Sequence, residues 1–135
     1  MIKYNLILFF TIFSIFLTCC DIDSDGTYYI IRTKWNKIDY ISGVNKTITF
    51  ENSNKAYMMD KVIRDEPIEY KGENYHKGSV IYTYYTYTFD KNTCIGRLEA
   101  IDENLLGADF LILGNRNSML IKNDVVEMIF NKIYD

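Results

Sequence analysis

Residues 79–89, Ser-Val-Ile-Tyr-Thr-Tyr-Tyr-Thr-Tyr-Thr-Phe, decide the fold class of this chain. β-Branched and aromatic side chains fill the stretch, and these are the types that suit a pleated, half-buried surface. Fully extended, the segment would run about 36 Å at ~3.3 Å per residue, long for a strand of a globular domain. Its apolar parity favours Val80, Tyr82 and Tyr84 early, then Tyr85, Tyr87 and Phe89 late. Such a switch predicts a bulge or sharp bend near Tyr84-Tyr85, a device that strands of closed barrels often need.

The flanking segments repeat the theme. Residues 28–32 (YYIIR) read as a strand, 46–50 (KTITF) alternate apolar with polar, and 51–54 (ENSN) form a turn. A less regular apolar stretch covers 56–63, and 69–78 is a polar, Gly-containing connection. After the central strand, 90–92 turn the chain into 93–101, and 102–104 lead towards a strand at 110–113. Gly114-Asn115-Arg116-Asn117 is the strongest hairpin signal, ahead of a strand at 119–122. Residues 125–134 admit a helix, with Asp124 and Glu127 as a capping box, or a closing strand; the regular turn spacing favours the strand. The expectation is all-β, a small antiparallel meander barrel or sandwich.

Ahead of this body lies Leu6 to Cys20, LILFFTIFSIFLTCC, preceded by Lys3 and followed by the first acidic residue at Asp21. The apolar run is short of the ~20 residues that a spanning helix needs. A charged start, a greasy middle and small residues at its end describe a signal peptide. Leu17-Thr18-Cys19-Cys20 resembles the lipobox of bacterial lipoproteins, with Cys20 as the modified residue. That resemblance implies cleavage after residue 19, a diacylglycerol thioether on Cys20, added palmitate-type acylation and stable attachment to a membrane through the lipid anchor. It also implies a bacterial cell envelope location, at the periplasmic or surface face of the outer membrane. The division expected is signal peptide 1–19, lipidated Cys and acidic tether 20–26, and one β-rich domain 27–135.

Loss of Lys3 leaves 14 basic against 18 acidic residues, a net charge of −4. Nucleic-acid binding needs a basic face, so that partner class is set aside. With Cys20 acylated and Cys19 removed, no second thiol remains for Cys94, and stability is expected to come from packing. Asp21-Ile22-Asp23-Ser24-Asp25-Gly26 opens like a calcium loop, but Arg32 stands where the bidentate Glu belongs, so a hydrated tether or a sorting signal is the better reading. No metal site is expected. His76 is the single histidine, Glu69, Glu73 and His76 lie in a glycine-flanked loop, and no serine elbow or phosphate cradle is present. These absences point away from an enzyme, and no cofactor is expected.

The opening Gly26-Thr27-Tyr28, the strand ending Thr49-Phe50, the Tyr-rich central strand and the final short hairpin resemble small lipocalin-like bacterial lipoproteins. A Trp usually follows the opening Gly in that family; here Tyr28 stands there, and the single Trp is Trp35. The resemblance implies an up-and-down barrel of roughly eight strands, its interior filled or holding one small ligand. Tyr82, Tyr84, Tyr85, Tyr87 and Phe89 are the candidate ligand-binding residues, with packed core and cross-strand pairs as the alternative use of the same side chains. Two functions follow. One is an anchored barrel that binds a small apolar or amphipathic molecule; the other is an anchored protein-interaction module, such as an inhibitor, immunity or assembly factor, with a filled core.

Overall fold

The computed structural model describes residues 28–134, and the expected signal peptide, lipidated Cys20 and acidic tether lie outside them. Ten strands follow one another: β1 (Lys34–Asp39), β2 (Val44–Phe50), β3 (Lys55–Val62), β4 (Ile68–Tyr70), β5 (Glu73–Tyr75), β6 (Val80–Asp90), β7 (Ile95–Ala100), β8 (Ala108–Ile112), β9 (Ser118–Lys122) and β10 (Glu127–Ile133). Eight of them close into an antiparallel barrel in the order β1-β10-β9-β8-β7-β6-β3-β2, while β4 and β5 form a separate hairpin. Closure comes from β1 pairing with β10, Trp35 opposite Lys132. The all-β expectation therefore holds, and so does the strand reading of the C-terminal segment. Eight strands give an interior just wide enough to be filled by side chains or to hold one small ligand.

The central strand differs from its sequence reading in one respect. Its pairing with β3 runs unbroken from Lys55↔Thr86 to Lys61↔Val80, and its pairing with β7 from Tyr85↔Ala100 to Asp90↔Ile95. There is no bulge and no switch of parity. Thr83, Tyr85, Tyr87 and Phe89 face inward, whereas Tyr82 and Tyr84 are 51% and 56% exposed on the outer wall. Tyrosine suits either face of a sheet, and the outer pair packs on Tyr57 of the neighbouring strand at 6.2 and 6.4 Å between ring centres. An outer aromatic ladder thus imitates a core stripe in the sequence.

Residues 28–32 are a second correction. They form no strand but cross one end of the barrel, with Tyr28 and Ile30 buried, Arg32 at φ 65° and its N–H donating to the Phe50 carbonyl at 2.7 Å. The first strand is instead Lys34–Asp39, where Trp35 alone is fully buried. The connection at 69–78 also contains the β4–β5 hairpin, turned at Lys71 and Gly72 with φ of 51° and 79°, the sense that two-residue hairpins favour. The β8–β9 hairpin falls where Gly114–Asn117 placed it: the Leu113 N–H donates to the Ser118 carbonyl at 2.9 Å, and the Asn115 carboxamide caps the turn.

The interior divides into two halves. Towards the end crossed by Tyr28 and Ile30 it is dry and aromatic. Phe50 meets Tyr87 at 5.0 Å and Phe110 at 5.2 Å, and Phe89 stacks on Phe110 at 5.8 Å with planes 6° apart. Gly96 lies beneath that stack: a Cβ there would sit 2.2 Å from Phe110 and 2.5 Å from the Thr88 carbonyl oxygen. The other half is less crowded, and it holds the polar groups.

Candidate ligand site in the barrel mouth

Two inward positions of β2 and β3 carry opposite charges. Lys46 and Asp60 are direct cross-strand partners, on the same faces as Ile48 with Phe50 and Met58 with Val62. The Lys46 ammonium donates to Asp60 Oδ2 at 2.9 Å, and the two side chains are only 15% and 22% exposed. Asp60 Oδ1 is buried, and none of the described residues donates to it. A desolvated acceptor left in this state costs about 1–3 kcal/mol, and more when it is charged.

Tyr85, on the neighbouring strand β6, borders the same opening as this pair. Burial, reinforced by the negative charge of Asp60 and by Tyr70, pushes its phenol up to about 12, so the ring carries a neutral hydroxyl under ordinary conditions. Below it a recess of about 150 Å³ is walled by Met58, Leu98, Ala108, Ile121, Met128 and Phe130. Above it, a wider opening of about 370 Å³ is rimmed by Thr83, Asn104 and Val125, and shares Lys46, Met58, Tyr85, Leu106, Asn123 and Val126 with the recess. Asn123 is occupied in shaping the rim, its carboxamide oxygen accepting from Val125 and Val126 and its nitrogen donating to the Gly107 carbonyl. The arrangement is an apolar pit with polar groups at its entrance, a form that suits one small amphipathic molecule.

Of the five aromatics singled out in the sequence, only Tyr85 reaches this site. Tyr87 and Phe89 belong to the packed end, where the Tyr87 hydroxyl donates to the Asn52 carbonyl and burial raises its pKa. Tyr82 and Tyr84 stand outside, stacked on each other at 6.3 Å, and border a surface groove of about 300 Å³ with Tyr70, Lys71, Ile101 and Asp102. That groove's ion pair, Lys71 to Asp102 at 2.5 Å, is solvent-exposed. Lys46 and Asp60 were missed, although a signal existed: in KTITF the lysine shares parity with Ile48 and Phe50, and in AYMMDKV the aspartate shares it with Ala56, Met58 and Val62.

Glu69, Glu73 and His76 are exposed on or beside the small hairpin, and among the described residues no cluster of His, Cys, Asp or Glu is placed to hold a metal. Cys94 is fully buried at φ 60°, as a small core residue, and it is disulfide-bonded in this full-length chain. Cys19, Cys20 and the Asp21–Gly26 motif fall outside them too. Compared with known protein families, curated proteins and solved structures, the chain matches none of them. Its closed antiparallel meander is consistent with a lipocalin-like barrel.

Proposed function

We propose that this protein is a lipid-anchored barrel of the bacterial cell envelope that binds one small amphipathic molecule in its open end, without catalysing a reaction. The observation that carries the binding role is the pairing of an unfilled apolar recess with inward Lys46, Asp60 and Tyr85 at its entrance. A chain selected for stability alone has little use for this ion pair, since replacing a buried pair by packed apolar residues is often neutral or stabilising. The anchor rests on the Leu17-Thr18-Cys19-Cys20 motif behind its apolar run.

Binding is tested with a fluorescent apolar probe such as aminoanthracene. Val126 borders both the recess and the opening, and Val126→Trp places an indole over the entrance. Loss of probe binding in Val126→Trp, with binding retained in Tyr84→Ser, is the expected pattern; the reverse would move the site to the outer groove. Anchoring is tested by labelling with a palmitate analogue, which Cys20→Ser abolishes. The intact mass of the processed protein, before and after reduction, adds a second check. A thioether-linked lipid survives reduction, whereas a disulfide from Cys94 to either vicinal sulfur does not, and processing at Cys20 leaves no sulfur there for such a bond.

The outer tyrosines favour a second reading. Exposed Tyr82 and Tyr84, packed on half-buried Tyr57, form an aromatic surface beside Ile101, and such patches mark contact sites for other proteins. Under that reading, Tyr82→Ser with Tyr84→Ser abolishes partner association and leaves probe binding intact.

A further inference from the structure

We propose that the molecule held in the barrel mouth carries a neutral hydrogen-bond-donating head, a hydroxyl or an amide, which donates to Asp60 Oδ1 while its apolar body enters the recess. This rests on the binding role proposed above and assigns the chemistry of the head group.

Three features select it. Asp60 borders the opening, and its Oδ1 is an enclosed carboxylate oxygen to which none of the described residues donates, so a donor brought beside it meets a strong acceptor. Its partner oxygen is already engaged by Lys46 at 2.9 Å, so the pair as a unit brings no net charge. An anionic head is therefore met by the Asp60 carboxylate as well as by the ammonium, and a cationic head by Lys46 as well as by the carboxylate. Each gains little from one member and is repelled by the other, in surroundings that screen charge weakly. A neutral donor avoids both penalties. The Tyr85 hydroxyl, kept protonated by its burial and by Asp60, can accept from or donate to the remaining side of the same head.

Below the head, the walls are Leu98, Ile121, Met128 and Phe130, with no charge among them. A recess of about 150 Å³ suits a short alkyl or aryl end rather than a long acyl chain lying wholly inside. The ligand class is thus a small alcohol or amide with a compact apolar end, or the hydroxyl-bearing end of a larger amphiphile whose remainder extends through the wider opening.

The test uses four water-soluble probes of matched length: hexan-1-ol, methyl pentyl ether, hexanoate and hexylammonium. Each is titrated into the full-length protein carrying isotope-labelled Met methyl groups, with Met58 and Met128 reporting on the recess and Met59, on the outer face of β3, as the control. The alcohol is expected to bind most tightly, about tenfold better than the ether, which accepts but cannot donate. Asp60→Asn, which keeps the side-chain volume, is expected to narrow that gap and to strengthen hexanoate binding on the order of tenfold, because Lys46 then loses its bonded carboxylate. Equal binding of alcohol and ether, or tightest binding by either ion, overturns the head-group assignment while leaving the mouth as a binding site. If no probe shifts Met58 or Met128, the mouth itself is not the site and both readings fall.

Discussion

Replacing Lys46 by Met, with Asp60 left in place, removes the cation bonded to a carboxylate that lies mostly out of water. The size of the effect follows from exposure. Breaking a fully buried pair costs about 3–5 kcal/mol, and a solvent-exposed pair contributes at most about 1 kcal/mol. Lys46 and Asp60 are 15% and 22% exposed at a barrel end, nearer the buried limit. The expected loss is therefore about 2–3 kcal/mol, or roughly 1–2 M in the urea midpoint for a domain of this size, with the slope unchanged. The double variant Lys46→Met, Asp60→Leu removes both charges and adds apolar surface beside Met58, so it should return to within about 1 kcal/mol of the parent or exceed it. The probe titrations should then show no preference for the alcohol. Urea unfolding followed by circular dichroism gives both numbers. A Lys46→Met variant within about 0.5 kcal/mol of the parent would mean that the pair is solvated like any surface pair. A double variant as damaged as the single would mean that the pair holds the barrel together rather than serving a ligand.

Three further outcomes are expected. Tyr85 has its folded-state pKa raised to about 12 from the usual 10, so the neutral form is favoured on folding; the resulting stability is complete below about pH 10 and is lost as the pH climbs towards 12. Alkaline unfolding should cost the parent more than Tyr85→Phe, by at most on the order of 3 kcal/mol, and equal losses in the two would refute it. Gly96→Ala drives a methyl group into Phe110 and the Thr88 carbonyl, and should lower stability by about 2 kcal/mol or more; a urea midpoint unchanged within error would show that the Phe89–Phe110 stack can move aside. Tyr82→Ser and Tyr84→Ser each remove only outer cross-strand contacts, so each should cost about 1 kcal/mol or less and leave the binding of hexan-1-ol unaltered, which thermal unfolding and the same titration would check.

The barrel was legible in the sequence wherever strands had one wet face and one dry face. Residues 46–50, 56–63, 79–89, 110–113 and 119–122 each lie in or closely overlap an observed strand, because alternation and turn residues agree there. It was illegible at the two barrel ends. The YYIIR stretch is apolar because it covers the packed end, where burial without pairing looks like a strand. In β1, by contrast, the positions sharing Trp35's face are Lys37 and Asp39 towards the mouth, so polarity concealed a real strand. The candidate site was obscured by the same cause. Lys46 and Asp60 occupy core parity, and an eye trained to place charges outside passes over them, while the outer ladder of Tyr57, Tyr82 and Tyr84 supplied aromatics where no cavity lies behind them.

Intermolecular nuclear Overhauser contacts between bound hexan-1-ol and the protein test the proposed ligand site most directly. The terminal methyl of the alcohol should contact the Met128 and Ile121 side chains inside the recess, with the hydroxyl-bearing carbon near the Tyr85 ring. Contacts to Tyr82, Tyr84 and Ile101 instead would place the molecule in the outer groove, and the charged barrel mouth would lose its claim to be a binding site.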